Sequence, residues 1–178
     1  MNLTKWKAYE TARSIIQAGL DLVTGIRTFL ADGLLQISTL AISGTAAEKF
    51  KTTTASFFTI LGIQYTKAAT DNLTFTAAQT INTAAGVGDF WGIWLVQINA
   101  AGTVSTKAPS ADQVYTTEAL ALAALPVIDA SNVSLGYITI NANVDSSWTA
   151  NTDDMTDASD CLTATFTDTA IKALPAAV

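Results

Sequence analysis

The chain has 178 residues, a formal net charge of −6, no histidine and a single cysteine. That length suits one domain with a core of its own, or one domain plus an arm. The missing histidine excludes Ser–His, Cys–His and His–metal chemistry, the lone Cys161 excludes an internal disulfide, and the acidic balance argues against sequence-independent nucleic-acid binding.

Hydrophobic residues make up 49% of the chain and charged residues only 13%. Threonine occurs 28 times, and its branched β-carbon favours a pleated surface. A surface poor in charge and rich in Thr and Ala suits a protein that buries area against partners. The charge is uneven: residues 1–51 carry +2 and the rest carry −8, so the two parts face different neighbours.

The first 48 residues read as an arm. Trp6, Tyr9, Arg13, Ile16 and Leu20 recur at spacings of three and four, which predicts a helix over 5–18 with Thr4 as N-cap and Gly19 as C-cap. Leu22, Val23, Ile26, Phe29 and Leu30 predict a second helix over 21–31 ending before Gly33. The spacing of LLQISTLAISG fits a short strand and an extended arm equally well. No stretch approaches the roughly 20 apolar residues of a membrane span, because Asp21, Arg27 and Asp32 interrupt the most apolar region; no membrane partner is expected.

Residues 49–178 read as a β-rich domain. KFKTTTASFFTILGIQYTKA alternates in places, and Gly62 marks a bulge or tight turn. In FWGIWLVQIN, Phe90, Gly92, Trp94, Val96 and Ile98 share one face, and Trp91, Ile93, Leu95 and Gln97 share the other. Both faces are largely apolar, so this strand is central and covered on both sides, by its own chain or by another subunit. Asn99–Gly102 is a turn and TVSTK the returning strand. VYTTEALALAAL predicts a short helix with Tyr115, Ala119 and Leu122 in register, opened by Thr116 or Thr117 and ended by Pro126. SNVSLGYITINAN is a strand with Leu135, Tyr137 and Thr139 opposite Ile138 and Ile140. SSWTANTDDMTDASD is an acidic loop, and CLTATFTDTAIKAL a final strand. The fold class is therefore mainly β: a β-sandwich or barrel-like domain with a short inserted helix, preceded by a helical or extended arm.

Candidate chemistry is sparse. AAGVGD has its glycines at the wrong spacing for a phosphate loop. Asp145, Asp153, Asp154, Asp157 and Asp160 offer oxygens to Ca²⁺, but without the EF-hand order of ligands, glycine and closing Glu they read as a solvated loop. As a glycosidase pair the same carboxylates have no supporting motif. No enzyme activity, metal or cofactor is expected. Trp91 and Trp94 suit a stacking platform if exposed, and a core or subunit interface if buried. Their apolar neighbours favour burial.

From about residue 50 onward, VQINAAGTVSTK, EALALAALPVIDASNVSLGYITINAN and SSWTANTDDMTDAS together resemble a module of tailed-bacteriophage virion proteins of the head-decoration (cement) or head-fibre type. The resemblance does not cover the first 48 residues. It implies a virion protein made in the host cytoplasm, sitting on the outside of an icosahedral head. Its implied partners are the major capsid protein and copies of itself, with a trimer as the stoichiometry the analogy suggests. Such a protein stabilises the lattice because it binds only the assembled shell. The contact residues then expected are Trp6, Tyr9, Ile16, Leu20, Ile26, Phe29 and Leu30 in the arm, with Trp91 and Trp94 in the sheet. The alternative is a tail-fibre or baseplate adhesin whose acidic loops contact a host receptor. A hydrolytic virion enzyme is disfavoured, for want of a nucleophile–base pair.

Overall fold

The computed structural model describes residues 10, 13–21, 23, 32–36, 38–76, 79–82, 90–110, 112–144 and 146–169. A helix, α1, covers 13–21. Among the described residues thirteen strands follow, with one short helix among them: β1 (Gly33–Gln36), β2 (Leu40–Ile42), β3 (Phe50–Thr52), β4 (Ser56–Ile60), β5 (Ile63–Lys67), β6 (Thr70–Leu73), β7 (Thr80–Ile81), β8 (Phe90–Asn99), β9 (Val104–Lys107), β10 (Asp112–Gln113), α2 (Glu118–Ala123), β11 (Asn132–Ala142), β12 (Trp148–Thr149) and β13 (Cys161–Asp168). They form a four-stranded sheet β13-β11-β8-β9 and three small sheets, β1-β4-β5, β2-β3-β6 and β10-β7-β12. The protein is mainly β and sandwich-like, with a short helix set into it.

The four-stranded sheet organises the rest. β8 and β11 pair antiparallel from Phe90↔Ala142 to Asn99↔Asn132. The turn joining β8 to β9 is tied by Gly102 N to Asn99 O at 2.9 Å and by the Asn99 side chain accepting from Ala101 N and Thr103 N. Gly102, at φ 77°, supplies the left-handed backbone the turn needs.

β11 contains a bulge that alternation alone misreads. Its register against β8 slips between Ser134 and Gly136, and Gly136 sits at φ 151°. The extra residue changes the phase of the strand. Val133 and Leu135 before the bulge, and Ile138, Ile140 and Ala142 after it, therefore enter the same core. Leu135 was expected opposite Ile138 and Ile140; the bulge turns it to their side.

The first face of β8 is the main core. Phe90, Trp94, Val96 and Ile98 pack there with Leu34, Leu40, Phe50, Phe58, Ile81 and Trp148. At its centre Phe75, Trp94 and Trp148 meet edge to face, with ring centroids 5.4 to 5.8 Å apart. Such pairs add about 0.5–1.5 kcal/mol each beyond simple area burial. Gly92 belongs to this packing: a Cβ there would lie 2.8 Å from Ile81 and from Trp94.

The second face of β8 is covered by its own chain. α2 packs on β8 and β11, with Ala121 fully buried and Glu118 accepting from the Thr139 hydroxyl at 3.3 Å. Gln97 forms a two-way pair with Asp129, donating from Nε2 at 2.5 Å and accepting from the Asp129 N–H at 3.0 Å. Where β9 no longer reaches the edge of β8, other groups take over. Trp91 N donates to Tyr115 O at 2.7 Å, and Ile93 N donates to the Gln113 side chain at 2.7 Å. These two backbone donors are thereby met at the buried edge, where an unmet group would be costly.

Three expectations change, and a fourth lies mostly beyond what is described. The arm was bounded at 48, yet β1 and β2 lie in sheets with β4 and β3, and Leu34 and Leu40 are core; the equivocal stretch LLQISTLAISG is two strands. Gly19, expected as a C-cap, lies inside α1, since a helical glycine costs only about 1 kcal/mol. The expected helix over 21–31 falls mostly outside the described residues. The acidic stretch is not all loop: Trp148 begins β12 and is fully buried.

Candidate interaction surfaces

Among the described residues, the cysteine and the acidic stretch are engaged within the fold. Cys161 is buried, and desolvation, assisted by Asp154 and Asp160, pushes its thiol up to about 11. It stays protonated at neutral pH, and a thiol, unlike a thiolate, is neither a nucleophile nor a metal ligand. The acidic stretch spends its carboxylates on its own backbone and hydroxyl groups. Asp153 accepts from Thr149 N at 2.6 Å, and Asp160 from the Ser146 hydroxyl at 2.5 Å. Asp154 accepts from the N–H and hydroxyl of Thr156, and Asp157 from those of Ser159. The Ser159 N–H and then its hydroxyl hold the Asp157 carboxyl below the usual range. Among the described residues, no three Asp, Glu or Cys side chains gather as a cation site; Asp145 lies outside them.

Asn151 shows why this stretch holds its shape. With φ 65°, its side chain accepts from Phe75 N at 2.7 Å and donates to Phe75 O at 2.9 Å. One amide thereby pins the backbone at the centre of the aromatic cluster. Gln79 accepts from the Trp94 indole at 2.5 Å, satisfying the one polar atom of that buried ring.

The expected contact residues divide. Trp94 is fully buried and belongs to the core, so it has no surface to offer a partner. Trp91 is half-buried on the face carrying Ile93 and Leu95. Ile16 and Leu20 are 64% and 56% exposed. Trp6, Tyr9, Ile26, Phe29 and Leu30 lie outside the described residues.

Two apolar surfaces stand out. The first is α1, exposed at every position from 13 to 21; Ile15 and the nearby Val23 are exposed as well. Its polar residues Glu10, Ser14, Gln17 and Asp21 recur at helical spacing, and Gln17 Nε2 donates to Asp21 Oδ1 at 2.9 Å. Nothing lies within 4 Å of where a Cβ on Gly19 would stand. The second surrounds α2, where Val114, Leu120, Leu122, Val127 and Ile128 are exposed. The short helix forms as its sequence directs, with the Thr117 hydroxyl accepting from Leu120 N at 3.2 Å, but it buries Ala121 instead of its leucines. A cleft of about 530 Å³ lies beside this surface, lined by Ile128, Asn132, Val133 and Thr169 and by Asp32 and Leu34 at the start of β1.

No family model, curated protein or solved structure matches this chain. Among the described residues, no helix is long and apolar enough to cross a membrane.

Proposed function

We propose that this protein is a structural component of a tailed-phage virion, a head-decoration protein that binds the major capsid protein from outside and stabilises the shell without catalysis. The observation that carries this reading is the contrast between the two parts of the chain. The β domain covers both faces of its central strand by itself, whereas Ile15, Ile16 and Leu20 of α1, with the nearby Val23, are 47 to 68% exposed. A domain with its central sheet covered, joined to a helix without cover, is the organisation of an attachment protein: the helix gains its burial on what it attaches to. The resemblance of residues 50–178 to head-decoration and head-fibre proteins supplies the identity of the assembly. The +2 charge of residues 1–31 against −8 elsewhere draws the arm and the domain to different surfaces.

Deleting residues 1–31 tests the assignment. The boundary respects β1, which belongs to the domain. The expected product is soluble, keeps the near-ultraviolet signature of its buried tryptophans, and no longer binds phage heads. A truncated chain that decorates heads at full occupancy would place docking in the β domain and overturn the role given to the arm.

A further inference from the structure

We infer that β13 is an open sheet edge that pairs, antiparallel and about a two-fold axis, with β13 of a second copy of this chain. The inference goes beyond the capsid-binding reading and does not depend on it. β13 is an outer strand of the four-stranded sheet, hydrogen-bonded to β11 on one side only. Thr169 N donates to Leu135 O at 3.0 Å, and Thr167, Thr165 and Thr163 lie opposite Tyr137, Thr139 and Asn141. Antiparallel ladders alternate. These threonines therefore turn their backbone groups to β11, and Ala164 and Phe166 turn theirs outward. Among the described residues, no group meets them there.

Such an edge is a template for another strand unless something blunts it. The molecule's other outer strands are blunted. At the far edge of the same sheet, Thr106 N donates to the Thr76 hydroxyl at 2.7 Å, and Thr76 N donates to the Thr106 hydroxyl at 2.9 Å. β1 is irregular between Leu34 and Gln36, and β5 ends in Lys67. β6 is broken by Asn72 at φ 57°, and β2 is met by Asp168, which accepts from Leu40 N at 2.8 Å. β10 and β12 have two residues each. β13 has eight residues without Gly, Pro or Lys, and its register is unbroken from Thr163 to Asp168.

The register selects the occupant. With the axis at Thr165, Ala164 of one copy lies opposite Phe166 of the other. Outward groups then meet outward groups, and the copies exchange N–H···O=C bonds in an isologous contact. Any strand supplies backbone groups, but the side chains of β13 complement themselves. The small Ala164 faces the large Phe166, both half-buried against the core. Thr163 faces Thr167, and Thr165 faces its own copy; such threonine pairs stabilise a ladder. The strand's one charge, Asp168, falls opposite Leu162, so no like charges meet. The chain's own tail is a poor occupant. Residues 169–172 hold no Gly or Asn for a tight turn back, and Pro175 has no N–H to donate.

Sedimentation of the purified full-length chain, with amide exchange on the same sample, tests the inference. At micromolar concentration the expected mass is twice 18.6 kDa. The Ala164 and Phe166 amides should be protected, and should exchange faster on dilution. Thr165 is exposed, so Thr165→Lys is expected to keep the near-ultraviolet signal of the buried tryptophans. It sets like charges together at the axis and should weaken association about tenfold or more. Thr165→Glu should do the same, and mixing the two variants should restore the dimer. A monomeric or trimeric wild-type chain overturns the proposal. Protected amides on a monomer would mean that the same chain covers the edge. A dimer whose Ala164 and Phe166 amides exchange freely is held by another surface, and also overturns it. So does a Thr165→Lys variant of unchanged mass, or a mixture of the two variants that stays monomeric. The exchange measurement uses the wild-type chain, so it decides the matter even if a substitution costs the fold. Binding to phage heads is read separately, so failure here leaves the capsid assignment to its own experiment.

Discussion

At the residue scale, Gly136 and Asp129 carry the sharpest consequences. A Cβ on Gly136 would stand 2.1 Å from the Thr167 carbonyl oxygen, on a backbone with φ 151°. Gly136→Ala must therefore open the β11–β13 pairing or move the bulge. The expected loss is roughly 3 kcal/mol or more in urea denaturation, from backbone strain and overpacking together; a loss within experimental error would mean the bulge is elsewhere. Asp129 is hydrogen-bonded by Lys107 first and Gln97 second, and both hold its carboxyl below the ordinary value of 3.8. Its ionised form therefore favours the folded state at all pH values above the unfolded pKa, and that contribution disappears as pH falls through the lower folded value. In melting curves between about pH 5 and pH 2, Asp129→Ala should lose less stability on acidification than the wild type. Parallel slopes would show that the pairing with Lys107 and Gln97 is not maintained in solution.

At the element scale, some of the fold is legible in the sequence. The alternation of FWGIWLVQIN predicts a strand covered on both faces, and β8 is one. The Asn99–Gly102 turn and the Thr117-capped helix follow from local chemistry that needs no tertiary partner. The phase of β11 was not legible, because a bulge is specified by what Gly136 must approach across the sheet, not by neighbouring residues. Trp148 was missed because two residues of strand among Ser, Thr and Asp carry no periodicity; one large apolar side chain in a polar stretch was the only signal. The β4–β5 hairpin is an intermediate case. Gly62 announces a tight turn, but Leu61 beside it takes φ 52° and is 77% exposed. Positive φ at both central residues is the pattern of a type I′ turn, which prefers Asn–Gly. Leu61→Asn should therefore raise stability by about 0.5–1 kcal/mol, read from the denaturation midpoint. A fall would show that the exposed leucine packs on something in solution.

At the scale of the whole molecule, the chain resolves into a β domain that covers its own central strand and a helix that is left exposed. The expected contact set follows the same division. Trp94 was selected for its size and proved to be core, whereas Ile16 and Leu20 are exposed. Composition could not separate these cases, because burial depends on whether the chain folds a cover over the residue. α2 and Asp129 provide that cover for β8, and no described element provides it for α1. On the proposed function the protein is a part of a larger structure, present at the copy number of a lattice. Purified virions, run on a denaturing gel and quantified against the major capsid protein, test this most directly. The expected result is an 18.6 kDa band in fixed stoichiometric ratio to the capsid protein, corresponding to hundreds of copies per particle on the order of the lattice itself. A band equivalent to only a handful of copies would indicate a fibre or baseplate component, and its absence from the particle would contradict the account altogether.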